Sequence, residues 1–132
     1  MSKIIKEGTS HSTIIFYNKF NKKKIKLLKK SKIKLFRLPV DTDDNLDLRE
    51  VLIKAKELGF YRIFLESGII LASNFLYKNL VDDLKLFISN KNLGKNGKCN
   101  IKKHLKLFLN NKKSINEKVN LLGEKLVTYK IK

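Results

Sequence analysis

The residues best placed to do chemistry are Glu66, Ser67 and Gly68. They follow the apolar run Ile63-Phe64-Leu65 and precede a helical pattern that begins at Ile69. Gly68 permits a tight turn and lets a ligand approach the backbone. The first N–H groups of the helix that follows have no intrahelical acceptor, and the helix dipole adds partial positive charge there. Phosphate is the ligand that such a turn takes. The competing reading is a plain strand-to-helix turn with Ser67 as N-cap, because one glycine is no fingerprint. Glu66 places a carboxylate directly after three apolar strand residues, where it must be paired or must face a ligand.

Other chemistry-bearing residues give weaker patterns. Asp41, Asp43, Asp44 and Asp47 invite comparison with a calcium loop, but Leu46 stands where that loop needs Gly and Leu52 where it needs Glu. A solvated loop followed by a helix cap is the expectation there. His11 and His104 lie in no metal-spaced motif. Cys99 is the single cysteine, with no neighbour that marks it as a nucleophile. No metal ligand and no catalytic residue is assigned from these patterns.

The elements that must position Glu66 and its neighbours can be read from periodicity. Thr13-Ile14-Ile15-Phe16-Tyr17 is β-branched and aromatic and predicts a buried strand. Residues 19–30 carry Phe20, Ile25, Leu27 and Leu28 among lysines and predict a helix. Residues 32–38 alternate and predict a strand that Pro39 stops. Asp47 and Glu50 stand as N-cap and N3 of a capping box, ahead of a stripe of Leu48, Val51, Leu52, Ala55 and Leu58. Gly59 sits where that helix needs a residue free to take positive φ. Residues 62–65 predict a buried strand, residues 69–78 a helix with Ala72, Phe75 and Leu76 on one face, and residues 84–88 a strand. Residues 90–100 read as a loop, 105–109 are ambiguous, and 115–122 with 125–131 predict a closing β-hairpin around Gly123-Glu124. Strands alternating with helices predict an α/β fold with a mostly parallel sheet flanked by helices and an antiparallel edge from the hairpin. In such sheets ligands bind beyond the carboxyl ends of the strands, which points again at Glu66-Ser67-Gly68.

The chain of 132 residues fits one domain, residues 1–132, and its single cysteine fits a reduced, cytoplasmic setting. No apolar run is long enough for a membrane helix, and none of the secretory kind opens the sequence. The formal net charge is +18, which raises nucleic acid or another polyanion as a partner. Only Arg37, Arg49 and Arg62 are arginine, the residue that reads bases and phosphates bidentately. Lys, Asn and Ile share AT-rich codons, so base composition accounts for much of the lysine, which is spread along the whole chain. That distribution argues against nucleic acid as the main partner; a small basic α/β module that binds nucleic acid or another polyanion stands as the alternative function.

Ile63-Phe64-Leu65-Glu66-Ser67-Gly68, then Leu71-Ala72, Phe75-Leu76 and Leu80-Val81-Asp82-Asp83-Leu84, resemble the C-terminal reductase domain of riboflavin-biosynthesis deaminase-reductases. Leu93-Gly94, Leu122-Gly123-Glu124 and Asp47-Leu48 agree with the same pattern in order and spacing. The chain departs from it at Ser67, where the family has a small Gly or Ala, and at Asn90, where it has Pro. The resemblance covers the C-terminal part of the reductase domain; the zinc deaminase domain and the front of the reductase domain have no counterpart in it. It implies a dihydrofolate-reductase-like fold and NADPH-dependent reduction of the ribosyl group of a phosphoribosylamino-pyrimidine to the ribityl form. It implies that Glu66 contacts substrate, and that Gly68, Ile69, Ile70, Leu71, Ala72, Ser73 and Asn74 hold the cofactor's phosphates and ribose. A homodimer is expected as well, since a sheet cut short on its N-terminal side leaves an edge to cover.

Overall fold

The computed structural model describes residues 13–31, 33–91, 105, 108–119 and 123–132. His11, Cys99, His104 and Leu93-Gly94 lie outside the described residues, as does most of the loop expected over residues 90–100. The chain forms two compact units, Met1–Ile63 and Phe64–Lys132.

In the first unit, β1 (Ile14–Tyr17), α1 (Lys22–Lys30) and β2 (Lys34–Arg37) make a strand–helix–strand crossover, and the two strands pair in parallel with Ile14 opposite Lys34 and Phe16 opposite Phe36. The Phe16 and Phe36 rings lie 6.2 Å apart across the pair. β1 is half-buried rather than buried, because among the described strands it has a partner on one edge only. Asn21 caps α1 by accepting from the Lys24 N–H at 3.0 Å, so the helix starts three residues later than its lysine-rich pattern. After Pro39 the Asp41 carboxylate accepts from the backbone N–H groups of Asp43 and Asn45, and Asp44 pairs with Lys19 at 3.0 Å. The acidic cluster is thus a self-bonded turn. Asp47 then caps α2 (Leu48–Glu57) by accepting from the Arg49 N–H at 2.9 Å. Leu48 and Ala55 are buried and Val51, Leu52 and Leu58 half-buried, which is the stripe that the sequence predicts. Gly59 takes φ +91°, and the N–H groups of Gly59 and Phe60 bond the carbonyls of Lys56 and Ala55. This is a Schellman termination, and it needs the left-handed conformation that glycine adopts freely. Lys54 lies over the Phe36 ring, 5.7 Å from its centroid, and joins α2 to the sheet.

In the second unit, α3 (Ile69–Tyr77) precedes β3 (Asp83–Ile88), β4 (Ser114–Glu117) and β5 (Lys125–Lys130). The three strands form one antiparallel sheet in the order β3-β5-β4. Phe75 and Leu76 of α3 and Leu126, Val127 and Ile131 around β5 are buried. α3 ends as α2 does, with Asn79 in place of glycine at φ +53°. Tyr77 packs edge-on against Phe108, ring centroids 4.6 Å apart.

Three expectations are corrected. The sheet is not mostly parallel: among the described strands one pair is parallel and two are antiparallel. A parallel pair needs a crossover to return the chain, and α1 is the crossover that has found a second strand. Residues 62–65 join no ladder and are exposed, with Ile63 50% and Phe64 74% accessible. Apolar, β-branched composition gives a segment strand character, but a strand exists only where a neighbour takes up its N–H and C=O groups. The closing hairpin is present, yet β4 stops at Glu117, which pairs with Leu126, so its loop is longer than the tight turn at Gly123-Glu124.

Candidate functional site

The site predicted at Glu66-Ser67-Gly68 lies wholly in the second unit. Gly68 is the N-cap of α3, with φ −63° and ψ 163°. The first helical bond runs from the Ala72 N–H to the Gly68 carbonyl at 3.2 Å. The N–H groups of Ile69, Ile70 and Leu71 therefore precede the ladder, and no side chain caps them. Ser67 is not the N-cap: its hydroxyl donates to the Gly68 carbonyl at 3.3 Å. The helix amides donate no hydrogen bond to it. A Cβ built on Gly68 meets nothing within 4 Å, so the approach to the helix end is open. Ile70, 77% accessible, and Leu71 expose apolar surface beside it.

The remaining predicted positions divide by turn. Ala72, Ser73 and Asn74 form the second turn of α3 and are half-buried. The Ala72 N–H is already bonded within the helix, and the Asn74 carbonyl accepts from the Lys78 N–H at 3.0 Å. These residues can reach a ligand through side chains, whereas Ile69 to Leu71 can do so through the backbone. Glu66 is exposed in the extended run before the helix. The requirement that it be paired or face a ligand is thereby corrected: water solvates a carboxylate at this position without cost. What the geometry offers at the end of α3 is a cluster of unbonded backbone donors, a dipole with its positive end outward, and a carboxylate two residues before the cap.

A second polar cluster has no signal in the sequence. On the three-stranded sheet Thr128 of β5 donates its hydroxyl to Glu117 of β4 at 2.8 Å, and Lys85 of β3 reaches the same Glu117 oxygen at 3.4 Å. The Thr128 hydrogen bond and the Lys85 charge hold the Glu117 carboxyl below the usual carboxylate range. Lys85 and Thr128 are directly opposed in the ladder, and Lys130 pairs with Asp83 on the same face at 2.7 Å.

The sequence model of the RibD C-terminal domain matches residues 1–121. The chain belongs to the RibD C-terminal domain family. The match includes Glu66 to Asn74 and every described element except β5. It agrees with the resemblance drawn from the Glu66-Ser67-Gly68 region and associates the chain with riboflavin biosynthesis and oxidoreductase chemistry. No curated protein matches the chain. Among the described residues no helix is long and apolar enough to cross a membrane.

Proposed function

We propose that this chain is an NADPH-dependent reductase domain that converts the ribosyl group of 5-amino-6-(5-phosphoribosylamino)uracil to the ribityl group. Family membership over residues 1–121 supports the reaction class. The observation that carries the site is the uncapped start of α3, where the N–H groups of Ile69, Ile70 and Leu71 receive no side-chain cap and the space beside Gly68 is open. These donors and the helix dipole fit a phosphate group of a dinucleotide. Ser73 and Asn74, one turn on, hold the ribose in this reading. Ile70 and Leu71 offer the apolar surface that a cofactor covers when it docks. Bound NADPH supplies the hydride; the chain supplies the grip and the orientation. Glu66 accepts hydrogen bonds from the hydroxyl or N–H groups of the substrate and fixes it beside the helix end.

The same reading makes residues 1–132 one reductase-like domain that works as a homodimer in the cytoplasm. The family match, which crosses both compact units, supports the first part. Sheet edges that have no partner among the described strands support the second. Isothermal titration of NADPH into the full chain at physiological salt tests the site, with ATP as competitor. Saturable binding that ATP does not displace is the expected result. Binding shared equally with ATP and lost as salt rises overturns it.

A further inference from the structure

Helix α1 has a surface that the reductase reading does not use. Between Glu7 and Asp41 the chain holds no acidic residue. At 3.6 residues per turn, Lys22, Lys26, Lys29 and Lys30 fall within about 100° of one another on α1. All four are exposed, while Ile25 and Leu28, beside and behind the stripe, are half-buried. The lysines, scattered when read along the chain, are thus gathered by the helix into one stripe. Among the described residues none of the α1 lysines forms an ion pair, although nearby Lys19 does. Lys29 and Lys30 in the last turn suit the helix dipole. Lys22, Lys23 and Lys24 do not: they stack positive charge on the positive end, with no acidic residue in the first turn. A bound anion relieves that conflict.

Phe20 stands immediately before the N-cap. A hydrophobic staple would fold it onto Ile25, yet it is 66% accessible. An exposed ring next to a lysine stripe is the arrangement that grips a backbone and stacks an unpaired base. We propose that α1 and Phe20 form a sequence-independent binding surface for single-stranded nucleic acid. Lysine ammoniums contact phosphates as point charges, and no Arg or Gln on the stripe reads base edges. An anionic lipid surface fits less well, because Ile25 and Leu28 are half-buried and Leu27 is the one exposed apolar side chain of α1, which leaves little apolar surface to insert.

The test is fluorescence anisotropy of a labelled mixed-sequence single strand with the full chain, across about 50 to 200 mM salt. One variant carries Lys22→Gln, Lys26→Gln, Lys29→Gln and Lys30→Gln. A second, of equal net charge, carries Lys56→Gln, Lys91→Gln, Lys118→Gln and Lys125→Gln at exposed positions elsewhere. The α1 variant should lose about 3 from the slope of log K against log salt, and at least about tenfold in affinity, while the second stays near the parent. Phe20→Ala should weaken the single strand by about tenfold and a duplex of the same sequence little. Equal loss in the two lysine variants overturns the proposal in favour of diffuse net charge. An unchanged Phe20→Ala variant overturns the single-strand assignment. Binding to anionic vesicles with none to the oligonucleotide overturns the choice of partner.

Discussion

Gly68 is the residue at which stability and proposed function separate. Its φ of −63° is open to any residue, and a side chain there meets nothing. Glycine is therefore not demanded by the backbone. A side-chain oxygen at this N-cap would accept from the next amides and satisfy them, which stabilises a helix by roughly a few tenths of a kcal/mol over glycine, and a carboxylate adds about 0.3–1 kcal/mol through the helix dipole. The chain does without that gain and leaves the donors open. Gly68→Asp should raise the unfolding free energy by about 0.5–1 kcal/mol, read from urea denaturation, by capping α3 and complementing its dipole. The same change should weaken NADPH binding by tenfold or more, since the carboxylate occupies the phosphate's donors and repels its charge. Loss of both stability and binding would show that Gly68 serves the fold alone.

The elements differ in how locally they are determined. α2 is closed at both ends by its own sequence, with Asp47 at the start and Gly59 at the end. Gly59→Ala forces a Cβ into the left-handed region and should cost about 1 kcal/mol in chemical denaturation. Asn79 does the corresponding work for α3 at φ +53°, since Asn, like Asp, tolerates this conformation through its short polar group. Strands have no such autonomy. Residues 14–17 and 34–37 are found as strands because α1 brings them side by side. Residues 62–65 have the same composition and form none, because no described strand bonds to them. α1 falls between the two cases: Asn21 fixes its start, but only the turn of the helix shows that its lysines share a face.

At the scale of the whole molecule the charge of +18 sets the response to acid. Lowering the pH protonates carboxylates, adds positive charge and increases self-repulsion. Glu117 sharpens this response because its folded carboxyl titrates below the usual range, held there by Thr128 and Lys85. The unfolded chain then binds the proton more readily than the folded one. The stabilisation from Glu117 is complete above the ordinary carboxylate range, and it is lost as pH falls through that range and through the lower folded value. Thermal unfolding followed from pH 7 down to about 3 should show a Tm that falls less steeply in Glu117→Gln than in the parent. Parallel curves would mean that the cluster does not link β3, β4 and β5 energetically.

The sequence by itself determined what depends on neighbours a few residues apart. The Asp47 cap, the Gly59 termination, the stripe of α2, the alternation around Ile33 and Leu38, and the turn at Glu66-Ser67-Gly68 before a helix were all legible, because each rests on local hydrogen bonds and on the 3.6- and 2-residue periods. The family followed from the same local runs. Only the tertiary structure decided which strands pair, and in which direction. It also decided that Ser67 turns to the Gly68 carbonyl and leaves the helix amides open, that Glu66 stands in water, and that Lys85, Glu117 and Thr128 meet across three strands. These depend on groups far apart in the chain, and no local preference of the backbone encodes their meeting.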